Sequence, residues 1–117
     1  MSLNCEKYQE LRTLVNELHN NVTKTKPDLG ELRLSLIQLR EFFLREIAPL
    51  TDLEYREQSY NTEMSKQLHL LELDVIFLQG SKQSTTMETR LKNIEARLNT
   101  LYMYCEAIIQ KCAQLEQ

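Results

Sequence analysis

The stretch LLELDVIFLQGSKQSTTMETR, residues 70–90, has two incompatible readings. As a strand, a small-residue loop and a helix start, it would be the unit that cradles phosphate. As two helix ends joined by a turn, it is the corner of a helical bundle. LELDV alternates as a strand does, but no second strand-like run exists to pair with it, and a lone buried strand leaves its backbone hydrogen bonds unmade. A phosphate loop of the form G-x-x-x-x-G-K-[ST] needs a second glycine with a lysine after it, whereas Gly80 is single and Lys82 falls too early. The phase of the apolar stripe favours the corner. Met64, Leu68, Leu71, Val75 and Leu78 predict the next d position at residue 85, yet the following stripe has its d position at Met87. An offset of two residues rotates a helix by about 200°, which would put the second stripe on the wrong face of a continuous helix. The chain must break here, and Gly80 is the natural C-terminal stop.

Beyond the corner, Met87, Leu91, Ile94, Leu98, Leu101, Cys105, Ile108, Cys112 and Leu115 are spaced alternately by four and three. This is an a/d seam about 42 Å long at 1.5 Å per residue. Arg90, Arg97 and Lys111 occupy g positions and Glu88, Glu95 and Glu116 occupy e positions, as flanks of a packed helix should. Thr85 with Glu88 three residues on reads as a capping box. Two more starts carry that signature: Asp28 with Glu31, and Thr51 with Glu54, each after a proline that discourages the preceding helix from continuing. The second helix then buries Leu32, Leu36, Leu39, Phe43 and Ile47. Before Pro27, the stripe Tyr8, Leu11, Val15, Leu18 and Val22 predicts a first helix from about Leu3 to Lys24. The polar run REQSYNTEMSK makes a late start or a bend in helix three the expected departure. Short connections favour antiparallel neighbours. The expectation is one all-α domain over 1–117, an antiparallel bundle of about four helices with helices three and four longest.

Composition agrees. A chain of 117 residues with 42% hydrophobic and 26% charged residues is long enough to bury a core. Two glycines and two prolines are few for the turns of a β or α/β fold. A net charge of −3 gives no electrostatic reason to expect nucleic-acid binding. No apolar run reaches the length of a membrane span, and MSLNCEKYQE lacks a signal peptide's apolar region, so a cytoplasmic protein is expected. The three cysteines lack a C-x-x-C pair. Cys105 and Cys112, seven apart on one helix, lie about 10 Å from each other, too far for a disulfide. All three are expected to be small apolar core residues in a reducing compartment, with no metal site, because His19 and His69 are isolated.

Helix three carries more apolar residues than one face needs. Opposite its seam, Leu70, Leu73 and Phe77, with Ile76 beside them, form a second stripe. Being covered on two sides within the bundle would explain it, but a four-helix bundle has no central helix. A subunit or partner interface is therefore expected through Leu70, Leu73, Ile76 and Phe77. The hairpin tip at residues 77–90 should project past the shorter helices, offering Lys82, Met87 and Arg90 to a partner around Phe77. Tyr102, Tyr104 and Ile109 broaden helix four. No catalytic residue or cofactor is expected: Arg90, Arg97 and Lys111 flank the seam, Arg40 and Arg45 sit among Glu41 and Glu46 as on a solvated face with ion pairs within the helix, and neither histidine has a nucleophile beside it. The alternative is a small helical enzyme, built like the compact all-helical chorismate mutases, binding an anionic ligand with inward-facing cations.

The segment Thr62–Cys105 resembles the PatD family of cyanobacterial heterocyst frequency control proteins. The resemblance lies in Glu63, Lys66, Gln67, Leu68, Leu71, Asp74, Phe77, Leu78 and Gln79, then Gln83, Thr86 and Arg90, ending near Tyr104 and Cys105. It covers the second half of the chain; the first half matches only in length and helical character. Gly80 departs from it, standing where a slightly larger small residue is expected. The resemblance implies a small cytoplasmic protein of filamentous cyanobacteria that helps set heterocyst frequency and contacts the division protein FtsZ. It carries over no binding residue.

Overall fold

The computed structural model describes residues 4–115. Four helices account for nearly all of it: α1 (Cys5–Val22), α2 (Leu29–Phe42), α3 (Tyr55–Gln79) and α4 (Ser84–Leu115). A π-helical turn, Phe43–Ile47, prolongs α2. No strand occurs among the described residues, so residues 70–90 are a corner. Gly80 caps α3, and its backbone N–H donates to the Ile76 carbonyl. The expected start at Leu3, the side chain of Leu115 and Glu116 lie outside the described residues.

Each expected stripe becomes a wall of one core. Tyr8, Leu11, Val15, Leu18 and Val22 line it from α1, and Leu32, Leu36, Leu39, Phe43 and Ile47 from α2 and its π turn. Met64, Leu68, Leu71, Val75 and Leu78 come from α3, and Ile94, Leu98, Leu101, Cys105, Ile108 and Cys112 from α4. Met87 and Leu91 pack at its edge. The π turn has a reason in the spacing. Leu39, Phe43 and Ile47 are separated by four and four, and each step of four rotates an α-helical stripe by about 40°. A wider turn, closed by the Ala48 N–H on the Phe43 carbonyl at 2.9 Å, cancels that drift and keeps Ile47 inside.

Helix α4 is the spine, packing against α1 on one side and α3 on the other; α2 packs on α1 and touches α3 less. The heptad flanks record this arrangement. On the g side, Arg97 Nε donates to Asp74 Oδ2 of α3 at 3.0 Å, and Lys111 pairs with Glu54 at the start of α3. On the e side, Glu95 lies 3.7 Å from His19 of α1. The molecule measures 50 × 23 × 19 Å, its length set by the 32 residues of α4.

Four sequence expectations are corrected. Asp28 does cap α2, accepting from the Glu31 N–H at 3.0 Å, but Thr51 does not cap α3. The chain passes through a left-handed conformation at Asp52 (φ 57°), which carries Thr51 off the axis, and α3 begins only after Glu54. Thr85 is the second residue of α4 rather than its cap, because the Gln83 carbonyl already accepts from the Met87 N–H at 3.0 Å. Arg40 pairs across to Glu72 of α3 instead of within its own helix. Finally, Cys5 and Cys112 form a disulfide, with Cα atoms 6.0 Å apart, and Cys105 alone is a buried free thiol. Antiparallel packing of α1 on α4 brings the first residue of one beside the last turn of the other, a proximity that no local spacing reveals.

Candidate interaction surfaces

The outer face of α3 follows from helix geometry. With Leu68, Leu71, Val75 and Leu78 inward, residues 73, 76 and 77 fall on the outside. Ile76 is 61% exposed, Phe77 51% and Leu73 37%, while Leu70 is half-buried. All four expected interface residues therefore lie off the core, but only three are open.

The expected contact residues of the tip are placed unevenly. Lys82 is exposed on the turn. Met87 packs partly on the core and is only half available as an anchor. Arg90 is half-buried, its guanidinium 4.8 Å from the centre of the Phe77 ring. This cation–π contact makes Arg90 and Phe77 one unit, so the two expected surfaces are continuous. The tip extends past the shorter helices. The His19–Glu95 contact marks a common level, beyond which α1 ends at Val22 while α4 reaches back about three turns to Ser84.

A second apolar surface was missed. Leu34, Ile37 and Leu44 of α2 are 63%, 38% and 57% exposed. Their spacing, i, i+3 and i+10, was visible in LRLSLIQLREFFL, but the stronger seam Leu32–Leu36–Leu39–Phe43 masked it. On α4, Met103 is exposed, whereas Tyr104 is half-buried and packs its ring 5.6 Å from that of Tyr60.

The interior holds carboxylates. Glu57 is buried beneath the Tyr8 hydroxyl, which donates to its Oε2 at 2.7 Å. Asn61 Oδ1 is 3.0 Å from the same hydroxyl. One phenol has one hydrogen, so both contacts are satisfied when the Asn61 amide is turned to donate to the phenol oxygen. Asp74 is also buried, against Arg97. A concavity of about 750 Å³ is lined by the 48–53 loop and by α3, with Asp52 and Lys66 as ionisable groups in its wall. Among the described residues, no group of His, Cys, Asp and Glu is placed to hold a metal ion, and no helix is long and apolar enough to cross a membrane.

No protein-family model, no curated protein and no solved structure matches this chain. Its surfaces are therefore interpreted by their own chemistry. An uncovered aliphatic and aromatic face suits a macromolecular partner, whereas buried carboxylates paired with a tyrosine and an arginine suit the packing of helices.

Proposed function

We propose that this chain is a non-catalytic interaction protein that regulates heterocyst frequency and cell division in filamentous cyanobacteria. It acts in the cytoplasm, recruited to the division site, by binding FtsZ and modulating its assembly. The observation that carries the binding reading is the exposure of Leu73, Ile76 and Phe77 on a helix whose other face is fully used by the core. The choice of FtsZ rests on the resemblance of residues 62–105. Self-association, as a homodimer or higher oligomer through the same α3 face, belongs to this reading. An anionic ligand inside the bundle, as the enzyme alternative requires, would meet the buried carboxylates Glu57 and Asp74.

The preferred contact is the tip, where Lys82 and Arg90 surround Phe77 and Met87 and present cations to an acidic partner about an apolar anchor. Two such tips on one oligomer would bridge FtsZ protofilaments and act at less than one copy per subunit. Co-sedimentation of the purified chain with FtsZ polymers tests this. Binding should weaken as salt rises, and Lys82→Glu with Arg90→Glu should reduce both the binding and its salt dependence. Because Arg90 also covers Phe77, Lys82→Glu alone serves as the electrostatic arm. Absence of wild-type co-sedimentation at low salt would overturn the assignment.

A further inference from the structure

The uncovered residues of α2 and those of α3 belong to one surface. Arg40 Nε lies 3.7 Å from Glu72 Oε1, which fixes the register of the two antiparallel helices. One turn back along α2 reaches Ile37, and one turn on along α3 reaches Ile76. One turn the other way, Leu44 lies beside Leu68 and His69 in a groove of about 260 Å³. This is also the side on which neighbouring helices touch least. Its two banks carry Leu34 and Ile37 of α2 with Leu44 of the π turn, and Leu73 and Ile76 of α3, all exposed, while Phe77 lies beyond them toward Arg90 of α4.

We infer that this α2–α3 face is the surface by which two copies of the chain associate, about a two-fold axis running along the groove parallel to the helices. The inference deepens the self-association reading above; it does not depend on FtsZ.

Two observations favour a second copy as the occupant. The first is area. From their fractional exposures, these five side chains offer roughly 450 Å² of apolar surface, while a standard interface covers about 800 Å² per partner and is about 65% apolar in homodimers. The face therefore supplies most of the apolar share of one side of such a dimer. The second is complementarity. A two-fold axis along the groove places α2 of one copy over α3 of the other without changing level along the helices. Residues level within a copy are then level across the axis: Ile37 meets Ile76, and Arg40 meets Glu72. A contact of this kind must be self-complementary, and the face has the Arg40 guanidinium of α2 opposite the Glu72 carboxylate of α3.

Sedimentation velocity of the full chain tests the inference. The wild type should be dimeric at about 50 μM, and Ile37→Glu on α2 should weaken the dimer about 100-fold or more, as should Leu73→Glu on α3. Far-UV circular dichroism should show both variants as helical as the wild type, and Met103→Glu on the exposed part of α4 should leave the dimer intact. A wild type monomeric at that concentration overturns the inference. So does a dimer that survives Ile37→Glu, because α2 would then have no part in it. FtsZ co-sedimentation, run in parallel, separates the claims: a dimer that ignores FtsZ sinks only the functional assignment, FtsZ binding by a monomer sinks this inference and the self-association above but leaves FtsZ binding standing, and a dimer lost in Leu73→Glu but kept in Ile37→Glu sinks this inference alone.

Discussion

At the scale of single residues, the corner and the buried hydroxyl and thiol make the clearest predictions. Gly80 has a negative φ of −86°, and a Cβ added there would lie 3.8 Å from the nearest atom, the Phe77 carbonyl oxygen. Gly80→Ala should therefore be accommodated and should stabilise the protein by about 0.4–1 kcal/mol through the unfolded state, seen as a higher urea midpoint. Burial, together with the hydrogen bond to Glu57, pushes the Tyr8 phenol far above its ordinary range, and burial pushes the Cys105 thiol up to about 12. In the unfolded chain these groups ionise near 10.0 and 9.0. Both are raised by folding, so the stability linked to them is fully present below the unfolded values and is lost as pH rises through this range. From pH 9 upward, the urea midpoint should fall, each group contributing up to about 1.4 kcal/mol per pH unit. Cys105→Ala should remove the earlier part of that fall, and an unchanged profile would mean that the thiol ionises freely. What was legible at this scale was local. Asp28 caps α2 because its partner Glu31 lies in the next turn, whereas Thr51 failed because the left-handed turn at Asp52 is not visible in residue types.

At the scale of elements, the a/d and 3–4 spacings made the stripes legible. All the core-facing seam residues named from spacing on α1, on α2 with its π turn, and on α3 are buried, because a helix in a two-layer fold hides one apolar side against the core. The polar contents of the core were not legible. Asp74 reads as the polar member of an alternating run, and only the placement of α4 shows that it faces Arg97. That pair ties α3 to α4 midway along the hairpin, with the carboxylate nearly enclosed and the guanidinium one-third exposed. Arg97→Leu strands a buried carboxylate and should cost about 1–3 kcal/mol, whereas adding Asp74→Leu to it should restore much of the loss. A double-mutant cycle measured by urea denaturation distinguishes this from simple additivity, in which the double variant would be the least stable of the set. The uncovered side of α3 was visible in the sequence as a surplus of apolar residues, but its extension onto α2 was not. That extension needs the Arg40–Glu72 register, a property of two helices together.

At the scale of the whole molecule, one end of the bundle is tied together by side chains far apart in sequence. Cys5 and Cys112, separated by 107 residues, join the first residue of α1 to the last turn of α4. Beside them Lys111 pairs with Glu54, and Tyr8 covers Glu57. The α3–α4 hairpin around Lys82 lies at the opposite end, so the surface proposed to meet FtsZ is remote from the disulfide. Closing a loop of about 100 residues is worth up to about 4.7 kcal/mol in chain entropy, less what the unfolded chain retains of its structure. Most of the core lies away from the staple, so the reduced chain should keep its helices while losing stability. With a reductant present, the melting temperature should drop by roughly 10 °C or more with little change in helicity at room temperature. Cys5→Ala with Cys112→Ala should melt near the reduced wild type and should no longer respond to reductant. In a reducing cytoplasm, the two cysteines would be the apolar thiols that the sequence suggested, and FtsZ binding at the distant tip should be the same for oxidised and reduced protein. If reduction instead abolished co-sedimentation while the helices persisted, the contact would have to lie at the stapled end rather than at Lys82.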